Sequence, residues 1–225
     1  MKYYNMKVIV TLKENINYIN TYEIISNFIA RAMLKNEELK KLHEVNCYKL
    51  YTFCSFYPFE KDLIYKKGNM YAFDIRYMDI SFGLKLKQLL KVINYEYLSV
   101  ISLNIECNEY KIIQKLISLT PAILTINNQY NTNNDLELVK QRIIDGSEKK
   151  YKTIYNEDLK FDFIKSIKQT NIKPIKIPYK NIHILGYKYE IEIKEDEISQ
   201  KLAHVILSTG ILEKNSQGFG FCKAR

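Results

Sequence analysis

The sequence predicts an α+β protein of two tandem ferredoxin-like (RRM-like, βαββαβ) domains, residues 1–108 and 113–225. Three observations lead there. Short segments alternating apolar with polar residues are interleaved with longer ones whose apolar residues recur three and four apart. In the first half they run strand, helix, strand, strand, helix, strand, and that order returns in the second half without any sequence repeat. The composition also fits: 225 residues that are 47% hydrophobic, with only 7 Gly and 4 Pro, exclude disordered, collagen-like and linker-like chains.

Taken in order, Lys7 to Leu12 alternates around β-branched residues and reads as a strand. A helix follows over about Tyr22 to Leu42, with Ile25, Phe28, Ile29, Ala32 and Met33 on one stripe. Lys49 to Phe53 and Met70 to Tyr77 form a strand pair, with turn signals at Pro58 and Lys67-Gly68-Asn69 between them. A second helix, about Ile80 to Ile93, carries Phe82, Leu86, Leu89, Leu90 and Ile93 on one face, and Ser99 to Ile105 closes the first unit as a strand.

The second unit is expected to begin with a strand at Ala122 to Ile126, after a division near residues 107–118. An Asn-rich loop, Asn127 to Asn134, leads to a helix carrying Leu136, Val139, Ile143 and Ile144, which Asp145-Gly146-Ser147 is placed to end. Ile172 to Ile177 and Ile182 to Lys194 form a hairpin. Glu195-Asp196-Glu197 opens a helix with Ile198, Leu202, Val205 and Ile206 buried, and Gly218 to Lys223 is the last strand.

Lys and Arg total 34 against 25 Asp and Glu, a net charge of +9 that favours a polyanionic partner. Lys, Ile, Asn and Tyr all have A/T-rich codons, so charge alone leaves a nucleic acid undecided. Cys47, Cys54, Cys107 and Cys222 show no CxxC spacing and read as reduced thiols of a cytoplasmic protein. No apolar run reaches the ~18 residues of a membrane span, and Met1 to Glu14 lacks the apolar stretch of a secretory signal.

The most informative stretch is Gly210-Ile211-Leu212-Glu213-Lys214-Asn215-Ser216-Gln217-Gly218-Phe219-Gly220-Phe221. Glycine lets a backbone take positive φ and approach a ligand closely, and successive N–H groups in such a loop make a concavity for a phosphate. Gly210 also suits a helix C-cap, and Gly218 and Gly220 a crowded edge strand. No strand precedes the segment and no helix follows it, so it is neither a Walker A nor a Rossmann motif.

This stretch resembles the C-terminal glycine-rich signature of the CRISPR-associated repeat-RNA endoribonucleases, the Cas six family. That signature reads glycine, apolar, glycine, Glu-Lys-Asn-Ser, glycine, apolar, glycine, apolar; Leu212 stands where a second glycine is usual. Leu42-His43-Glu44-Val45 with Lys49 to Phe53 is similar to the family's catalytic-histidine region. Leu119 to Thr125 is similar to the start of its second domain.

The resemblance implies a metal-independent endoribonuclease without a cofactor. It would cut CRISPR precursor RNA within each repeat by attack of the 2′-hydroxyl, leaving a 2′,3′-cyclic phosphate and a 5′-hydroxyl. A relative that binds repeat RNA without cutting it is the alternative. The implied partner is repeat RNA. Other Cas proteins of a surveillance complex, and a monomeric or homodimeric state, stay open.

Among three histidines, His43 sits at the end of the first helix. Imidazole exchanges protons near neutrality, and a helix C-terminus favours its charged form; a residue there that only complements the dipole is the other reading. The resemblance assigns His43 and Lys49 as catalytic, and Gly210, Lys214, Asn215, Ser216, Gly218, Phe219 and Gly220 as RNA-binding. Many members carry a tyrosine on the first helix; Asn27 to Arg31 has none, and Arg31 and Tyr48 are the nearby substitutes. His183 is expected on a strand surface and His204 on the solvent face of its helix. Glu195-Asp196-Glu197 is expected to serve the helix dipole and to hold no metal.

Overall fold

The structure is a computed structural model describing residues 1–109, 111–131 and 135–225. Positions 132–134, the end of the expected Asn-rich loop, lie outside the described residues, as does position 110 in the expected linker. The first unit comprises β1 (Tyr3–Leu12), β2 (Ile16–Asn17), α1 (Thr21–Met33), α2 (Glu37–Glu44), β3 (Tyr51–Phe53), β4 (Ile64–Tyr65), β5 (Met70–Tyr77), α3 (Ile80–Val92) and β6 (Leu98–Asn108). The second comprises β7 (Lys115–Ser118), β8 (Thr125–Ile126), β9 (Gln129–Tyr130), α4 (Leu136–Tyr155), β10 (Ile164–Gln169), β11 (Ile175–Tyr179), β12 (Ile182–Gly186), β13 (Tyr189–Ile193), α5 (Glu197–Thr209) and β14 (Cys222–Ala224).

Two antiparallel four-stranded sheets carry the fold, in the orders β3-β5-β1-β6 and β10-β13-β7-β14. Each places its first strand centrally beside its fourth, with two helical connections, so both units are ferredoxin-like. The alternation in β1 has its expected result, with Met6, Val8, Val10 and Leu12 buried on one face. The α1 stripe packs onto that face, with Phe28, Ile29, Ala32 and Met33 fully buried. No helix among the described residues is long and apolar enough to cross a membrane.

Several elements differ from the sequence reading. The first helix is two helices: Asn36 leaves the helical region, and its side chain accepts from the N–H groups of Glu38 and Leu39, capping α2. Leu50 takes a φ of 55°, so β3 starts only at Tyr51. The first strand of the second sheet is β7. Ala122 and Ile123 make only isolated bridges to Tyr187 and Glu213, and Thr125–Ile126 pairs with β9 in a small ribbon. α4 continues through Gly146 to Tyr155, because nothing lies within 4 Å of that glycine's missing Cβ and the helix loses no packing there. The expected long strand 182–194 is divided between β12, in a two-stranded hairpin with β11, and β13, in the main sheet. Residues 218–221 belong to a loop, and β14 starts at Cys222.

Helix α5 joins the units. It packs on its own sheet and also against β1, β3 and β5 of the first. His204, expected to face solvent, is therefore only 2% exposed; its Nε2 lies 3.1 Å from the Lys111 carbonyl, and burial lowers its pKa. Arg76 of β5 crosses the same interface. Its guanidinium donates to the carbonyls of Leu207 (2.8 Å) and Cys222 (2.7 Å) and lies 4.2 Å from the Phe221 ring centroid.

Candidate functional site

His43 lies in the last turn of α2, exposed, while Leu39 of the same helix is 2% exposed and anchors it to the core. The last carbonyls of a helix lack intrahelical partners. Lys49 satisfies them: its ammonium donates to the carbonyls of Leu42, His43 (3.0 Å) and Val45. The lysine thus reaches back across the 46–48 turn and fixes the end of the helix that presents the histidine. Its charge also suits the negative end of the helix dipole.

The glycine-rich segment faces this helix end from the other unit. Gly210 ends α5 with a φ of 87°, and Leu212 (55°), Lys214 (56°), Gly218 (89°) and Gly220 (72°) also lie in the left-handed region. Leu212 therefore adopts the conformation a glycine would take freely. Asn215 opens a short turn, Asn215–Gln217, and ties the segment together by donating to the carbonyls of Ile211 (2.8 Å) and Phe219 (3.0 Å). Glu213 accepts from the Thr125 N–H (3.1 Å) and hydroxyl (2.6 Å), and the Gly220 N–H donates to Pro121 (2.8 Å).

Only the crest of the segment, residues 213–217, is partly open to solvent. Gly210, Gly218, Phe219 and Gly220 are buried. The Phe219 ring, expected at the RNA surface, is fully buried and stacks on Tyr22 at 5.2 Å and 11°. It has no free face for a base; it plugs the segment into a small core shared by α1 and the β11-β12 hairpin. A Cβ on Gly218 would stand 2.5 Å from the Phe53 ring, so the close approach of the two units requires glycine there.

Between the two parts lies a 210 Å³ pocket lined by His43, Lys49, Ser216, Gln217, Tyr179 and Ser26, among others. Of the residues singled out in the sequence it brings together His43, Lys49 and Ser216, contributed by both units. Ser26 and Tyr179 share a 2.8 Å hydrogen bond across the units, α1 to β11. Tyr51 borders the pocket too; burial, then Tyr179, raises its phenol well above the ordinary value, and Ser216 hydrogen bonding opposes the shift. A wider cleft of 580 Å³ adjoins it, sharing Lys49, Tyr51, Ser216 and Gln217 and adding Tyr48, Lys150 and Lys214.

Several expected residues stand elsewhere. Arg31 pairs with Glu96 at 3.0 Å and covers the Tyr95 ring, which removes it from the pocket. Tyr48 lines the cleft and not the pocket. His183 is exposed on β12. Asp196 caps α5 through Ser199, and Glu197 pairs with Lys201 at 2.7 Å. Tyr179 falls between the two expected hairpin strands and carried no signal of its own in the sequence. Lys150 carried a usable one: it continues the stripe of Val139, Ile143 and Ser147 at helical spacing, a lysine among buried positions.

Known proteins bear on this arrangement. The family model described as CRISPR associated protein Cas6, C-terminal, matches residues 108–224. No curated protein matches the sequence. Among solved structures, an RAMP protein described as binding different RNA substrates has a TM-score of 0.76 at 16% identity, covering 99% of each chain. A CRISPR associated protein Cas6 has 0.73 at 17%, again over 99% of both chains. The product of a Cas6-related gene from Pyrococcus furiosus has 0.68 at 15% over 98% of both. At these identities the solved structures speak for the fold; the family model, which spans more than half of the sequence, places this chain in the Cas6 family.

Proposed function

We propose that this protein is a metal-independent endoribonuclease that cuts CRISPR precursor RNA within its repeats. One observation carries the reading: His43 and Lys49 of the first unit share a pocket with the crest of the glycine-rich segment of the second. Solved Cas6 structures of similar fold include a product complex, with a TM-score of 0.66. In this reading the units are residues 1–108, carrying the histidine, and 113–225, carrying the RNA-gripping loop.

The chemistry needs no outside nucleophile. The ribose 2′-oxygen gives up its proton and bonds to the adjacent phosphorus. The bond from phosphorus to the 5′-oxygen breaks, and that oxygen takes up a proton. The products are a 2′,3′-cyclic phosphate and a 5′-hydroxyl. His43 is the proton-transfer group, a role typically contributing about 10²–10⁴ in rate. Lys49 supplies positive charge where the phosphate gathers negative charge. The crest, Lys214 to Gln217, meets the RNA backbone, and Gly210, Gly218, Phe219 and Gly220 give it shape. Asn215 braces it from within. The excess of lysine over both units adds salt-sensitive attraction.

A second reading, binding without cutting, has its own support. The Lys49 ammonium is already engaged by the carbonyls of Leu42, His43 and Val45, and Asn27 to Arg31 offers no tyrosine. Incubation with repeat RNA from the host's own CRISPR locus, in excess chelator, decides between them. Cleavage lost in His43→Ala with RNA binding retained supports the nuclease. Undiminished cleavage by His43→Ala removes the histidine from the mechanism, and wild-type binding with no cut leaves the binding role.

A further inference from the structure

Lys150 is the one lysine on the buried face of α4, and it is only 2% exposed. A buried ammonium is ordinarily matched by a carboxylate. Lys150 forms no ion pair with a carboxylate among the described residues. Its Nζ instead donates to the Gly210 carbonyl and to Asn215 Oδ1, each at 2.6 Å. These acceptors stand at the start and the middle of the glycine-rich segment. Asn215 passes the constraint on through its Nδ2, to Ile211 at 2.8 Å and Phe219 at 3.0 Å. One amine thus orders the backbone on both sides of the exposed crest from beneath, while Lys214, Ser216 and Gln217 of the crest stay partly open to solvent.

We propose that Lys150 is a positioning residue of the RNA site: through Gly210 and Asn215 its ammonium holds the glycine-rich segment in the conformation that meets the RNA backbone. This rests on the RNA reading above. Lys150 acts from under the loop and makes no contact of its own with the phosphates. Removing it costs affinity by loosening the segment, and leaves the number of neutralised phosphates unchanged.

Protonation makes the arrangement sensitive to pH. Burial brings the Lys150 amine down to about 7, so the charged form that grips both oxygens is lost as pH rises through that value. RNA bound at the crest places negative charge nearby and favours the protonated amine, so affinity falls from pH 6 to 8.5. The ionisable groups around it are Tyr48, whose ring centroid is 5.7 Å away, Lys49 in the same cleft, Glu213 and Lys214 of the segment, and Cys222 of β14. Burial raises the Tyr48 phenol and pushes the Cys222 thiol up to about 12, so neither changes charge in that interval.

The test uses the full chain, the host repeat RNA and chelator, with Lys150→Met and Asn215→Ala. Dissociation constants are measured from pH 6 to 8.5 and over a range of salt, together with hydrogen exchange of the 210–220 amides without RNA. Lys150→Met is expected to weaken binding about tenfold at pH 6, the size of one charge-assisted hydrogen bond. It should flatten the pH profile, leave the salt slope unchanged and speed exchange across the segment. Asn215→Ala should reproduce the effect, and the double variant should be no worse than Lys150→Met alone. Unchanged affinity and exchange in Lys150→Met overturn the proposal. So does a salt slope reduced by about one unit, which would make Lys150 a direct phosphate contact. Should Lys150→Met fail to fold, Asn215→Ala and the wild-type pH profile decide in the same way. Wild-type protein that binds no RNA overturns the RNA reading, and the exchange measurement still judges the clamp.

Discussion

Alanine at two glycines separates the cost of backbone conformation from the cost of contact. Gly68, in the turn before β5, has a φ of 81° and nothing within 4 Å of a Cβ placed on it. Gly68→Ala should therefore cost only the left-handed penalty of about 1–2 kcal/mol. Gly220 has a similar φ of 72°, but its Cβ would overlap the Ile211 carbonyl oxygen and stand 2.9 Å from Asn215 Nδ2. The oxygen is backbone and cannot swing aside. To the conformational penalty Gly220→Ala adds roughly 1–3 kcal/mol of overpacking. Displacing Asn215 from its two acceptors adds roughly 1–3 kcal/mol more. The total, about 3–8 kcal/mol, is a large share of the about 5–15 kcal/mol a domain possesses. At about 2–4 °C per kcal/mol for a chain of this size, thermal unfolding should fall by about 2–8 °C for Gly68→Ala and by about 6–30 °C for Gly220→Ala. Calorimetry of the two variants beside wild type measures it. Equal melting temperatures would refute the close packing of Gly220 against Ile211.

Other expectations follow from the same contacts. Between about pH 7 and 10.5 the unfolded chain keeps a proton that folded Lys150 has shed, so stability rises with pH. Urea titrations of wild type and Lys150→Met should diverge by up to about 1.4 kcal/mol per pH unit above 7, and parallel curves would deny the buried amine. Arg76→Ala strands the Leu207 and Cys222 carbonyls. About 1–3 kcal/mol for each predicts a destabilised contact between the units, read as a second transition in denaturant. Lys49→Met should free the end of α2 and lower cleavage, with faster amide exchange at Val45 as the independent sign that the cap is gone.

The first unit was legible because its strands alternate cleanly and α1 and α3 carry unbroken apolar stripes. Where it misled, at 34–36, the signal was present: Asn36 followed by Glu37 and Glu38 is an N-cap with acidic residues in the first turn. The second unit hid two strands. In β10 the apolar residues Ile164 and Ile167 are three apart, since the register shifts between Ile164 and Ser166; a bulge removes the period-two pattern. β7 is only four residues long and lies within the stretch near residues 107–118 read as the division between the units. At the site, His43, Lys49 and the glycine-rich segment could be read as chemical types. Their meeting could not, because Ser26, Tyr179 and Phe219 are brought there by packing between units. His204 misled because α5 is buried from Leu202 to Thr209 between the two units, whereas its start is open at Glu197 and leaves Ile198, expected in the core, exposed.

Helix α5 fills the interior of its own half and roofs the first sheet as well. Neither half, expressed from a gene fragment, would have a finished surface: the first would bare the underside of its sheet, and the second would bare a helix made for two hosts. Fragments supplied together should therefore seek each other out and reassemble, and whatever loosens that embrace would blunt the blade and slacken the grip in a single stroke.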